Sequence, residues 1–186
     1  TTFKKRYVVD NQKLFRVSRV EDHVINKSIE NKLIMQCEEA IKNADGIVIS
    51  DFVYGVITKK VVKKLKDLSL KYEIPIFADI QCSSQLGSLL KFKNFSLLCP
   101  NEKEARIAMQ DKYSGLEALS SESIKNTKTA RLIMKLSGEG FIAYDVSDKK
   151  KVISQAFPAL TVNPVDVSGA GDALLSVMAL GIASSE

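Results

Sequence analysis

Gly46-Ile47-Val48-Ile49-Ser50-Asp51 is a short run of apolar, β-branched residues that ends on a carboxylate. Such a run, opened by glycine and without polar alternation, reads as a parallel strand buried on both faces. The pattern repeats downstream. Thr58 to Tyr72 has helical spacing, and Pro75-Ile76-Phe77-Ala78-Asp79 reads as a second buried strand. Gln85 to Phe92 reads as a short helix, Phe95-Ser96-Leu97-Leu98-Cys99 as a third strand, and Asn101 to Gln110 as a helix. Upstream, Leu33, Ile34, Cys37, Ala40 and Ile41 recur at helical spacing between Ser28, a candidate N-cap, and about Lys42. Alternating strands and helices build a mainly parallel sheet covered by helices on both faces, a three-layer α/β/α arrangement. Strands that end at Asp51, Asp79 and Pro100-Asn101 place polar groups at the carboxyl edge, where open α/β sheets bind ligands.

The flanking regions read differently. Phe3 to Val9 and Lys13 to Val20 are extended segments around the turn-like Asp10-Asn11-Gln12. Ser120 to Ala130 reads as a helix opened by the capping signal Ser120-Ser121-Glu122-Ser123, and Arg131 to Leu136 fits either a strand or the end of that helix. Ser137-Gly138-Glu139-Gly140 is a turn, Phe141 to Val146 a strand, and Val152-Ile153-Ser154 the start of another, which together predict an antiparallel edge. A chain of 186 residues fits one domain with a real core.

Composition excludes several function classes. A hydrophobic share of 45% and a charged share of 26% suit a soluble globular protein. The net charge of +5 comes with lysines spread as in Lys59-Lys60-Val61-Val62-Lys63-Lys64-Leu65-Lys66, the pattern of a solvated helix face, not of a nucleic-acid patch. A modest positive balance also attracts phosphorylated substrates. Cys37, Cys82 and Cys99 show no C-x-x-C spacing and read as reduced thiols of a cytoplasmic protein. His23, the one histidine, leaves no basis for a His-based triad or metal cluster and reads as a surface residue. No apolar run is long enough to span a bilayer and no signal peptide is evident, so neither membrane nor nucleic acid is an expected partner.

The chemistry concentrates in Asp166-Val167-Ser168-Gly169-Ala170-Gly171-Asp172, which runs into the helix-compatible Ala173 to Leu180. Two glycines and an alanine let backbone approach a ligand, and a helix start behind them offers free N–H groups and a positive dipole end, which suits a phosphate. A carboxylate at Asp172 needs a job beside such a site, and the natural one is to take a proton from an attacking hydroxyl. Farther upstream, Asn101 and Glu104 stand three apart at a helix start and so share a face. That pair either orients water around Mg²⁺ and phosphates or forms a capping box.

The seven-residue loop resembles the C-terminal signature of the PfkB/ribokinase family of carbohydrate kinases, D-T-x-G-A-G-D or D-V-T-G-A-G-D before a helix, with Ser168 where Thr is common. The resemblance implies a ribokinase-like fold, ATP and Mg²⁺ as cosubstrate and metal, and a sugar or sugar phosphate as acceptor. It makes Asp172 the catalytic base and the N–H groups of Gly169, Ala170 and Gly171 an anion hole, with Asp166 and Ser168 beside the nucleotide. Asn101 and Glu104 match the family's N-x-x-E, which gives Glu104 a role toward the metal. Lys135, Ser137, Gly138 and Gly140 fall where the family has a T-[LR]-G-x-x-G-like turn that contacts ATP. Lys135 replaces the Thr, and a plain hairpin turn is the competing reading.

Asp51-Phe52-Val53-Tyr54-Gly55-Val56 is similar to D-Y-x-K-G-[VA] of the bacterial heptose kinases, the RfaE-like branch, and implies a substrate role for Asp51. Thr1-Thr2-Phe3-Lys4-Lys5-Arg6 and Asn11-Gln12-Lys13-Leu14-Phe15-Arg16 resemble the same branch. Tyr54 stands where that branch has Lys, and Ile80-Gln81 where it has Pro-Lys after the Asp. Residues 1–186 then form a single, partial kinase domain, which begins after the family's glycine-rich sugar-binding region and lid and stops near the helix behind Asp172. A partner or a homodimer is expected to cover the sheet edge and apolar surface so left. Besides a heptose kinase, a kinase for ribose, fructose 6-phosphate or 2-keto-3-deoxygluconate and a non-catalytic nucleotide- or partner-binding domain stay open.

Overall fold

The computed structural model describes all residues except 1, 11, 82–86, 147, 149–151, 162–166 and 185–186. Asp166 and Cys82 therefore lie outside the described residues, as does the start of the short helix expected from Gln85. The chain opens with a two-stranded antiparallel hairpin, β1 (Phe3–Val9) and β2 (Gln12–Arg19). There follow α1 (Lys27–Ala40), β3 (Ile47–Asp51), α2 (Lys59–Tyr72), β4 (Ile76–Ile80), β5 (Leu97–Leu98), α3 (Glu102–Met109), α4 (Leu116–Thr127), β6 (Arg131–Lys135), β7 (Phe141–Asp145), β8 (Ile153–Phe157) and α5 (Ala170–Ala183).

Strands β3 to β8 form one sheet in sequence order. The first four are parallel, and β7 and β8 add the expected antiparallel edge. The three-layer, mainly parallel architecture is thus present. Residues alternate between two cores, as the strand period of two requires. Ile76, Ala78, Ile80, Leu98, Leu132 and Met134 face the layer of α1 to α4. Phe77, Leu97, Cys99 and Ile133 face α5 through Leu175, Ala179 and Ile182. Asp79 has the parity of Phe77, and Lys135 that of Ile133, so both point to the α5 side at the strands' carboxyl ends.

Several boundaries moved for local reasons. The N-cap of α1 is Asn26, whose Oδ1 accepts from Ile29 N at 2.9 Å, instead of Ser28, which lies inside the helix. Thr58 caps α2 by accepting from Val61 N. Helix α4 starts four residues before the predicted Ser120, at Leu116, with Gly115 as N-cap. Leu119, fully buried, draws that turn into the core, and Ser120 and Ser123 are buried too; Ser123 donates to the Leu119 carbonyl at 2.8 Å. A serine that bonds back four residues suits a helix interior as well as a cap. Residues 131–135 are strand, and of the predicted helix ending at Phe92 the described part is a 3₁₀ turn, Leu89–Lys91. His23 is exposed, Cys99 is buried and Cys37 half-buried. Among the described residues no helix is long and apolar enough to cross a membrane. Strand β3 is an edge with Val48 half exposed, and Val177 and Leu180 of α5 and Phe15 and Val17 of the hairpin are exposed too.

Gly140 closes the β6–β7 turn at φ +97°, and a Cβ there would stand 2.0 Å from the Phe157 carbonyl oxygen. Gly140→Ala is expected to cost about 1–3 kcal/mol from backbone strain alone, more with the clash. Gly138→Ala, where a Cβ meets nothing within 4 Å, is expected to stay near parental stability. Urea unfolding of the two variants checks this.

Candidate active site

The site forms where the carboxyl ends of β3, β4 and β6 meet the start of α5. Helix α5 begins at Ala170, three residues before the helix-compatible Ala173 of the sequence, with Gly169 as N-cap at φ +82°. Asp172 therefore sits within the first turn. No Cβ at Gly169 would meet anything within 4 Å, so the turn is open outward. Ser168 and Ala170 are exposed beside it, and Ala170 N donates to the Val167 carbonyl at 3.2 Å. The N–H groups of a first helical turn have no intrahelical acceptor, which leaves this terminus fit for an anion.

Asp172 is held from below. Its Oδ1 accepts from Ser50 Oγ of β3 at 3.1 Å and from Gln81 Nε2, just past β4, at 2.9 Å. Among the described residues nothing is hydrogen-bonded to Oδ2. Ser50 was not singled out by sequence reading, and Gln81 only as a lost lysine. The signal available for both was their position at strand ends on the face opposite Ile49 and Ile80.

Directly beneath Gly171 lies an ion pair. Lys135 Nζ reaches Asp79 Oδ2 at 2.6 Å, and the Asp79 side chain is fully buried. A Cβ on Gly171 would come within 3.3 Å of Lys135 Nζ and 3.5 Å of Asp79 Oδ2, so the turn rests on this pair. Burial pushes the Asp79 carboxyl above its ordinary range, against the pull of Lys135, and pushes the neighbouring Cys99 thiol up to about 12. The lysine read as an ATP contact on the 135–140 turn is directed inward, to Asp79 beneath Gly171. The turn itself is a hairpin: Ser137–Glu139 is a 3₁₀ turn, Gly138 has open space around it, and Gly140 answers to the Phe157 carbonyl.

Asn101 bridges to Lys135 across β5 and β6 and so borders the same edge. Asn101 Oδ1 accepts from Glu104 N at 2.8 Å, and Glu104 Oε2 accepts from Asn101 N at 2.7 Å, a complete capping box. Glu104 is buried. Among the described residues no three His, Cys, Asp or Glu side chains converge as a metal cage. Asp51, expected at the substrate, is on the other face of β3 from Asp172 and is engaged in structure: Oδ1 accepts from Val53 N at 2.9 Å and Oδ2 pairs with Lys91 Nζ at 2.6 Å. Tyr54, in place of the lysine of the heptose branch, lies 4.9 Å beneath Lys4 Nζ of the hairpin.

A family model matches residues 12–186, that of the pfkB family carbohydrate kinases. The chain belongs to this family. It is 30% identical to the bifunctional protein HldE of Campylobacter jejuni over 99% of its own length, and 30% identical to that of Sulfurimonas denitrificans over 100%. It spans 38% of the length of those relatives. Among solved structures, the fold is shared with phosphofructokinase-2 of Escherichia coli (TM-score 0.69, 19% identity). It is shared also with the Arabidopsis thaliana ribokinase complexed with ribose and ATP (TM-score 0.62, 20% identity). These overlaps cover 92% and 95% of this chain and 54% of each of those chains.

Removal of one partner from a buried ion pair costs about 3–5 kcal/mol. Lys135→Met is expected to fall in that range at neutral pH. Because the folded Asp79 carboxyl titrates above the unfolded value of about 3.9, the folded state favours its protonated form. The loss of Lys135 is therefore expected to be felt least in acid and to grow as pH rises above about 4. Thermal melts of parent and variant across pH check both the size and the sign.

Proposed function

We propose that this chain is the core of an ATP-dependent sugar kinase and transfers the γ-phosphoryl group of ATP to a sugar hydroxyl. The observation that carries this is the Asp172 carboxylate, held through Oδ1 by Ser50 and Gln81 in the first turn of α5, with no hydrogen bond to Oδ2 among the described residues. In this reading Asp172 Oδ2 accepts the hydroxyl proton as that oxygen attacks the γ-phosphorus. The first-turn N–H groups take the charge on the phosphoryl oxygens, and the helix dipole adds to them. Such a transfer is mostly positioning and electrostatics, which a base fixed by two neutral donors and a rigid turn supplies.

Mg²⁺, when bound with the nucleotide, neutralises charge on its phosphates. A hard cation that keeps several waters and rides on phosphates needs no cage of three side chains. Asn101 and Glu104 are the residues proposed to hold its water shell, Glu104 while it also caps α3. Ser168 and Asp166 are proposed beside the nucleotide on the strength of the family motif.

The acceptor is proposed to be a heptose 7-phosphate, supported by the Asp51 to Val56 and amino-terminal motifs and by the HldE relatives. Ribose or fructose 6-phosphate is the competing acceptor class, in keeping with the ribokinase and phosphofructokinase folds. A cytoplasmic setting agrees with ATP as cosubstrate and with the unpaired Cys37 and Cys99.

In a coupled ADP assay on the full gene product, Asp172→Asn is expected to lower kcat by about 10²–10⁴ with little change in KM for ATP, the range for a lost general base. A kcat within threefold of the parent would overturn the assignment of Asp172. ATP binding without turnover on any sugar would favour a non-catalytic domain.

A further inference from the structure

The lysine run of α2 splits into two faces with opposite electrostatics. Lys60 and Lys64 turn toward α1, where each finds an acid: Lys60 Nζ lies 3.5 Å from Glu30 and Lys64 Nζ 2.5 Å from Glu38. Lys59, Lys63 and Lys66 share the other face at i, i+4 and i+7, and line an open cavity of about 990 Å³. Lys91 and Lys93 enter the same cavity from the segment before β5. Against these five lysines the lining carries two carboxylates, Asp22 and Asp51, and Asp51 already pairs with Lys91. Lys63 reaches an acid at 3.9 Å, Asp67 on its own helix. The floor is apolar, with Val53, Ile57, Val62 and Leu90.

This convergence works against the helix that carries it. Like charges at i, i+4 repel, and the first turn of α2 holds lysines and no acid, the wrong sign for the positive end of the helix dipole. Thr58 and Lys59 of that turn open into the cavity, so the uncompensated helix terminus and the lysines address the same space. On the α1 side of the same helix the chain supplies acids. On the cavity side, among the described residues, Asp22, Asp51 and Asp67 leave the five lysines in excess, and an anionic ligand would balance them.

We propose that this cavity binds a phosphorylated small molecule with a ring, phosphate on the lysines and ring on the apolar floor, at a site separate from the Gly169–Gly171 turn. Strand β3 divides the two sites, since Ser50 faces Asp172 and Asp51 faces the cavity.

Isothermal titration with inorganic pyrophosphate tests the site. Lys59→Glu/Lys66→Glu is expected to weaken one class of pyrophosphate binding at least tenfold, while Lys59→Arg/Lys66→Arg keeps it. The acid at position 59 suits the helix dipole, so the melting temperature of the Glu variant should match or exceed that of the parent. Loss of binding then cannot be put down to unfolding. Gly171→Leu, whose side chain would press on the Lys135–Asp79 pair and displace the turn that opens α5, should leave this class intact. Its failure to remove any binding would count against the anion hole, not against the cavity. Ribose 5-phosphate and ADP, each compared with inorganic phosphate, then identify the ring as sugar or nucleotide by which one gains affinity. Unchanged pyrophosphate binding in the Glu variant, or a class lost equally in the Arg variant, would overturn the proposal.

Discussion

The ion pair between Asp79 and Lys135 is the contact on which the upper edge of the sheet depends. It joins β4 to β6 across β5, a strand of only two paired residues, and lies at the base of the turn that opens α5. Two charges this deep are stable only together, because each alone would bear its full desolvation cost. Their pairing therefore locks three elements into one height relative to each other. Gly171 is small because the pair is beneath it, and Asp172, one residue on, inherits its position from that packing.

Two positions that depart from the heptose-kinase pattern are engaged by other groups in the fold. Relative to the heptose-kinase pattern, positive charge is missing at Tyr54 and Gln81. In the fold, Lys135 brings an ammonium to the α5 side of the edge from β6, and Lys4 brings one over Tyr54 from the hairpin. Gln81 keeps a donor on Asp172 and leaves the charge out.

Much of the architecture was legible from residue order. The apolar runs around Ile49, Phe77 and Leu98 could only be buried strands, and the alternation with helices imposed a parallel sheet. Ends of elements were less legible, because residues that cap helices also serve inside them. Ser28 and Ser120 had the right chemistry for caps, yet Asn26 and Gly115 hold the extended backbone that a cap requires. At the site, the loop from Ser168 to Asp172 was readable, since its glycines and its acid have few other reasons to occur together. Ser50 was not, being one serine among many until β4 and α5 are placed against β3.

By itself, the sequence determined the layer order, the family and the loop that carries Asp172, because those depend on local period and on a short contiguous motif. Only tertiary structure decided which face of a strand each charged residue serves. Ser50 and Asp51 are neighbours in the chain and work on opposite sides of the sheet, one on Asp172 and one on Lys91. Lys60 and Lys63 belong to one run and differ in whether an acid comes from another helix to meet them. Side chains alternate by two along a strand and by about 3.6 along a helix, so their partners are set by what packs against each face.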